Sequence, residues 1–162
     1  MTGVLCARDL MTPDPVVLSP TDTLRFAAGV LTSIGTGGAP VMNGEHVVGV
    51  ISMTDIVEFA ADNPSSPGDP VSSARPHSEM AVPAGPEWDA LDEHTVAEVM
   101  SLRILSVSPT ADVRTLAQLM DAEGVHRLLV MEDDALVGIV TSLDLVRAVA
   151  RGDLISAATR GG

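Results

Sequence analysis

Two aspartates stand at matching places in the sequence. Asp55 ends the phrase Gly49-Val50-Ile51-Ser52-Met53-Thr54-Asp55, and Asp144 ends Gly138-Ile139-Val140-Thr141-Ser142-Leu143-Asp144. In both, an apolar β-branched run gives way to a hydroxyl residue, and the carboxylate follows three positions later. That spacing has two chemical readings. A strand end that opens into a helix N-terminus can offer N–H groups and a hydroxyl to a phosphate, while an Asp in the first turn accepts the vicinal hydroxyls of a ribose. The same spacing is a capping box, in which hydroxyl and carboxylate satisfy the helix's own leading donors. Both readings draw on one carboxylate.

Other chemistries are poorly supplied. All nine basic residues are arginines, so the amine needed for a Schiff base or a Walker-type phosphate loop is missing. Cys6 is the only thiol, and His46, His77, His94 and His126 show no metal-ligand spacing, which argues against a zinc site. No nucleophile–base pair or paired carboxylates can be vouched for, so no catalytic residue is assigned. Asp133-Asp134 reads as a solvated turn, and Met11, Met42, Met53, Met100, Met120 and Met131 as core filler. A net charge of -13 repels phosphate backbones, and an aromatic content of 2% leaves no stacking platform for nucleic acid. No run of residues approaches a membrane span and no targeting segment opens the chain, so a cytoplasmic location is expected, with neither nucleic acid nor membrane as partner.

The elements that must position the aspartates follow from an internal repeat. An offset of 89, without a gap, pairs Met11 with Met100, Ser19-Pro20-Thr21 with Ser108-Pro109-Thr110, Arg25 with Arg114, Gly35 with Gly124, Val48-Gly49 with Val137-Gly138 and Asp55 with Asp144. Leu24, Ala27, Ala28 and Leu31, and likewise Val113, Leu116, Ala117 and Met120, recur at helical spacing. Ser19-Pro20 with Asp22 reads as the start signal of the first long helix. Ala39 to Met42 and Val47 to Ile51 form a hairpin pattern around Asn43-Gly44, repeated by Leu128 to Met131 and Leu136 to Val140. Short extended pieces at Val16 to Leu18 and Leu105 to Val107, and second helices at 53–61 and 142–150, complete a strand-helix-strand-strand-helix unit in duplicate. The division expected is 1–61, an insert at 62–95, and 96–162 with a C-terminal tail.

The insert holds six of the eleven prolines, and seven carboxylates against Arg75. Proline removes donors and biases the preceding residue away from helix, so 62–84 reads as a solvated linker. Trp88, the only tryptophan, is expected to dock on the core or on a partner subunit.

The order DLMT, V-x-L-S-P-T-x-T-L, G-A-P-V-M-N-G and V-V-G-V-I-S-M-T-D, answered by EVMS, S-V-S-P-T, H-R-L-L-V-M-E-D and L-V-G-I-V-T-S-L-D, resembles a tandem pair of cystathionine beta-synthase (CBS) domains, the Bateman module. The resemblance covers about two-thirds of the chain and implies an α/β (α+β) fold: two pseudo-twofold-related β-α-β-β-α motifs packed through their sheets. It also implies two clefts that in many members bind adenine nucleotides or S-adenosylmethionine, and frequent assembly into homodimers.

Carried onto this sequence, the resemblance puts the ribose contact at Asp55 and Asp144 and the phosphate-side hydroxyl at Ser52 and Thr141. The adenine would lie along backbone at Thr12 to Val16 and at Ser101 to Leu105, and near Gly37-Gly38 and His126-Arg127. Those last pairs differ between the copies, and Pro40, usual for the family, is Leu129 in the second, so two unequal sites are expected. His126 and Arg127 suit a phosphate, whereas two glycines offer only close backbone approach. The Arg127 site is expected to prefer AMP or S-adenosylmethionine to ATP. The leading functional reading is a non-catalytic regulatory module for AMP, ADP, ATP or S-adenosylmethionine, requiring no cofactor and acting on a separate effector protein. The alternative is a ligand-free structural or dimerisation module for a partner protein.

Overall fold

The computed structural model describes residues 4–63 and 90–153, so residues 64–84 of the proline-rich insert, and Trp88, lie outside the described residues. The chain divides into two compact units. One is Val17–Arg103; the other joins Met1–Val16 to Ile104–Gly162. Each unit therefore holds the hairpin and helices of one sequence copy together with the leading segment of the other.

In the Val17–Arg103 unit, α2 (Leu24–Ser33) is followed by the antiparallel pair β2 (Gly38–Asn43) and β3 (His46–Ser52), then α3 (Met53–Asp62), α4 (Ala90–Glu93) and α5 (Val96–Val99). Single bridges extend this pair on either side, Leu18 parallel to Val41 and Ser101 antiparallel to Val50. The second unit is built the same way. Helix α1 (Ala7–Leu10) and strand β1 (Thr12–Pro13) come from the N-terminal segment, and β4 (Ser106–Val107), α6 (Val113–Glu123), β5 (Arg127–Glu132), β6 (Ala135–Thr141) and α7 (Ser142–Ala150) from the second copy. Its sheet order is β1-β6-β5-β4. Thr12 faces Ile139 as Ser101 faces Val50, so the offset of 89 holds in space as well as in sequence.

The cores are aliphatic, as an aromatic-poor chain requires. Leu18, Leu24, Leu31, Val41, Ile51, Ile56, Leu91 and Val96 close one, and Ala7, Leu116, Met120, Leu128, Val130 and Val140 the other. Burial of Leu91 shows that the end of the insert is part of a core. No helix among the described residues is long and apolar enough to cross a membrane.

One expected boundary is corrected. The first long helix begins at Leu24 and is capped by Thr23, whose hydroxyl accepts from the Phe26 N–H at 3.1 Å. Ser19 and Asp22 instead close a turn ahead of it, with the Ser19 N–H donating to Asp22 Oδ2 at 2.7 Å. The reason is tertiary. The carbonyls of Asp22 and Pro20 accept the leading N–H groups of α5, from Val96 at 2.8 Å and Ala97 at 2.9 Å, which holds this turn against α5 ahead of the helix. The other unit repeats this, with Ala7 donating to Ala111 and Arg8 to Pro109.

Candidate functional site

Each aspartate sits in the first turn of a helix that follows directly from a strand. At Asp55, Oδ2 accepts from the Ser52 N–H at 2.7 Å and from Ser52 Oγ at 2.7 Å, while the Asp55 N–H donates back to Ser52 Oγ at 3.2 Å. At Asp144 the partners are the Thr141 N–H at 2.8 Å and Thr141 Oγ1 at 2.9 Å, with the return bond at 3.4 Å. The capping box is therefore complete in both copies.

Which atoms the cap uses decides what remains for a ligand. Every cap bond to the carboxylates ends on Oδ2. The other oxygen of Asp144 lies 3.6 Å from Arg147 Nη1, and among the described residues Asp55 forms no ion pair. One carboxylate can thus cap its helix through Oδ2 and still accept a hydroxyl at Oδ1. The hydroxyls of Ser52 and Thr141 are less open than expected, because each directs its proton at the carboxylate. The helix N-termini are also less open. The first N–H of α3 donates to the Gly37 carbonyl and that of α7 to the His126 carbonyl, both at 2.9 Å, and the third is held by the cap. Of the three leading donors, only those of Thr54 and Leu143 are uncommitted among the described residues.

The structure brings most of the expected residues together. Gly38 is the cross-strand partner of Ser52, and Arg127 that of Thr141. Gly37 and His126 are tied by their carbonyls to the helix starts. The leading segments are regrouped: Ser101, bridged to Val50, belongs with Ser52 and Asp55, whereas Thr12, paired with Ile139, belongs with Thr141 and Asp144. Leu105 is partly buried against the core of its unit, and its carbonyl accepts from the Leu129 N–H at 3.0 Å, two residues along β5 from Arg127; Val16 is exposed. Among the described residues no group of three or more His, Cys, Asp or Glu could hold a metal ion.

Sequence reasoning missed two positioning features. The short helices α1 and α5 carry capping boxes, Cys6 with Asp9 and Thr95 with Glu98, and the Thr-x-x-Glu spacing was there to find the second. Gly49 and Gly138 permit the docking of the leading segments. A methyl group on Gly49 would stand 2.8 Å from Met100 Sδ and 2.8 Å from the Ser101 carbonyl oxygen; on Gly138 it would run into Met11 Sδ and stand 3.0 Å from the Thr12 carbonyl oxygen.

The family model of the CBS domain matches twice, at residues 7–62 and 96–151. Among curated relatives, an uncharacterized 33.4 kDa protein of Thermofilum pendens is 26% identical over 144 residues, covering 89% of this chain and 43% of the relative. The chain thus spans less than half the length of the first curated relatives it matches. Among solved structures, a protein assigned to acetoin utilization, AcuB of Vibrio cholerae, has a TM-score of 0.72 at 21% identity, covering 98% of this chain and all of that one. The CBS domain pair of protein MJ0100, in complex with 5′-methylthioadenosine and S-adenosyl-L-methionine, has a TM-score of 0.69 at 18% identity, covering 93% and 99%. CBSX2 in complex with AMP has a TM-score of 0.66 at 23% identity, covering 90% and 96%. At these identities the structural likeness establishes the fold.

Proposed function

The chain belongs to the CBS domain family, and from that premise we propose that it is a non-catalytic, cytoplasmic regulatory module that binds adenosine-containing small molecules and relays their presence to an effector protein. The observation that carries this reading is the duplicated aspartate whose cap uses one oxygen only. Oδ1 remains able to accept a ribose hydroxyl without dismantling the helix start. The adenosine complexes of two CBS pairs of the same fold support the choice of ligand class. A homodimer through the long helices α2 and α6 belongs to the same reading, supported by Phe26 and Ile34, 56% and 46% exposed at α2. A monomer by light scattering at micromolar concentration would remove that part.

The completeness of the caps favours a second reading, a ligand-free structural or dimerisation module. Calorimetry with AMP, ATP and S-adenosylmethionine separates the two. Saturable binding is expected in the wild type, with AMP ahead of ATP because no lysine is present to neutralise further phosphates. Asp144→Ala should abolish binding at its own site and cost about 0.5–2 kcal/mol of stability through the lost cap. The same stability loss with no adenosine binding to either protein would leave the structural reading.

A further inference from the structure

Helices α3 and α7 hold the same place in the two sequence copies, and each leaves one face uncovered. On α3 the exposed residues are Thr54, Val57, Glu58, Ala61 and Asp62; at the same positions α7 and its C-cap expose Leu143, Val146, Arg147, Ala150 and Arg151. The spacing i, i+3, i+4, i+7, i+8 gathers either set into one stripe. Val57 is 55% exposed and Val146 60%, so both stripes turn aliphatic surface to solvent, while Ile56 and Ala148 are buried behind them.

The charges on the two stripes are opposite. The offset of 89 pairs Glu58 with Arg147 and Asp62 with Arg151, so one stripe carries two carboxylates where the other carries two guanidinium groups. Arg147 approaches Asp144 only to 3.6 Å, and its side chain stays 59% exposed. Two α3 stripes brought together would set carboxylate against carboxylate, and two α7 stripes guanidinium against guanidinium. An α3 stripe laid on an α7 stripe surrounds the aliphatic centre with unlike charges, the arrangement that fixes register and suppresses the wrong pairing.

We propose that α3 of one chain packs on α7 of a second copy of this chain, with Val57 and Val146 at the centre and Glu58 and Asp62 meeting Arg147 and Arg151. The proposal rests on the homodimer reading above and names the pairing within it, which joins unlike sequence copies. Helices of ten and nine residues, about 15 Å long and about 10 Å across, cover far less than the about 800 Å² per partner of a stable interface. The contact therefore continues onto α2 and α6, which pack beside α3 and α7 in their own units.

The test measures self-association of the full chain by sedimentation velocity, with thermal unfolding as the fold control. It compares the wild type, Glu58→Arg with Asp62→Arg, Arg147→Glu with Arg151→Glu, and a chain carrying all four changes. All four side chains are exposed, so the cores are untouched. Each doubly reversed chain should self-associate about tenfold or more weakly than the wild type. The chain with all four changes should recover, and mixing the two doubly reversed chains should give a heterodimer tighter than either chain forms alone. Wild-type association in both doubly reversed chains, with no preference on mixing, would overturn the pairing and leave the dimer through α2 and α6. Weakening by the α7 reversal alone would also overturn it, and would assign α7 to an acidic segment other than α3. A wild type that stays monomeric throughout the micromolar range would remove the dimer reading and the pairing together.

Discussion

Where Gly37 and Gly38 lead into the first hairpin, the second copy has His126 and Arg127, and where Glu58 follows Asp55, Arg147 follows Asp144. Yet the first N–H of each helix meets a carbonyl at the same 2.9 Å, and each carboxylate caps through Oδ2. The bonds that stay constant are made by main chain and by the Ser/Thr-Asp pair; the groups that vary are side chains that take no part in those bonds. The fold therefore fixes where a ligand hydroxyl could be accepted and leaves the surrounding charge free to differ. Two copies of one scaffold can in this way present chemically different surroundings to related molecules.

The largest effect that would break the equivalence of the two scaffolds lies at the glycines beneath the leading segments. At Gly49 the obstacle to a methyl group includes the Ser101 carbonyl at 2.8 Å, whose position is held by reciprocal bonds with Val50 at 3.0 and 2.8 Å. At Gly138 the tightest obstacles are Sδ and Cγ of Met11, the latter at 2.9 Å, on an unbranched side chain that can adjust, and the Thr12 carbonyl stands slightly farther off at 3.0 Å. Gly49→Ala is expected to cost about 1–3 kcal/mol and Gly138→Ala less, by denaturant unfolding. Equal losses would mean that both segments yield in the same way, and that the spatial repeat is closer than the contacts indicate.

Much of this was legible in sequence because it is local. The offset of 89, the helical spacing at Leu24 to Leu31, the hairpin around Asn43-Gly44 and the Ser52-Asp55 spacing each needs only neighbours in the chain. What escaped depends on distant partners. Helices α1 and α5 have four residues each, too few for a period to show, and they form on carbonyls contributed by the opposite sequence copy. The same recruitment of the Pro20 and Asp22 carbonyls displaced the start of α2. The regrouping of Thr12 with Asp144 and Ser101 with Asp55 is likewise non-local. Nor could spacing reveal that the cap would take one carboxylate oxygen and leave the other.

A smaller effect compares the two leading helices. Hydrogen bonds from the Thr95 N–H, the His94 ring and the Thr95 hydroxyl hold the Glu98 carboxyl down from 4.5 to about 2. The Asp9 carboxyl is also lowered, first by the Cys6 thiol and then by the Cys6 N–H. A carboxylate whose folded value is depressed adds stability above its unfolded value, and that stability is lost as the pH falls toward the folded one. The contribution of Glu98 is therefore whole above about 4.5 and fades toward about 2. Thermal midpoints measured across this range should fall with acid in the wild type, and Glu98→Gln should flatten part of the slope. Because this box belongs to the segment that carries Ser101, an unchanged slope would show that the cap does not help to hold that segment.

The smallest effect lies in the hairpin turns, where the copies reach similar ends with different residues. Asn43 pairs with His46 and Glu132 with Ala135, so each turn has two central residues. In the first copy, Gly44 takes the left-handed conformation at φ 62°; in the second, Asp133 and Asp134 do so at 50° and 63°. Aspartate tolerates this region better than most residues but still carries a side chain there, whereas glycine enters freely. Asp133→Gly should therefore stabilise the second copy, by less than about 1 kcal/mol because glycine also loses more freedom on folding. The substitution removes a negative charge from a chain already at -13, which could stabilise on its own account. Asp133→Asn separates the causes, since asparagine keeps the tolerance for positive φ and drops the charge. A gain with glycine that exceeds the gain with asparagine assigns the effect to the backbone; equal gains would assign it to charge, and the two turns would then differ in electrostatics alone.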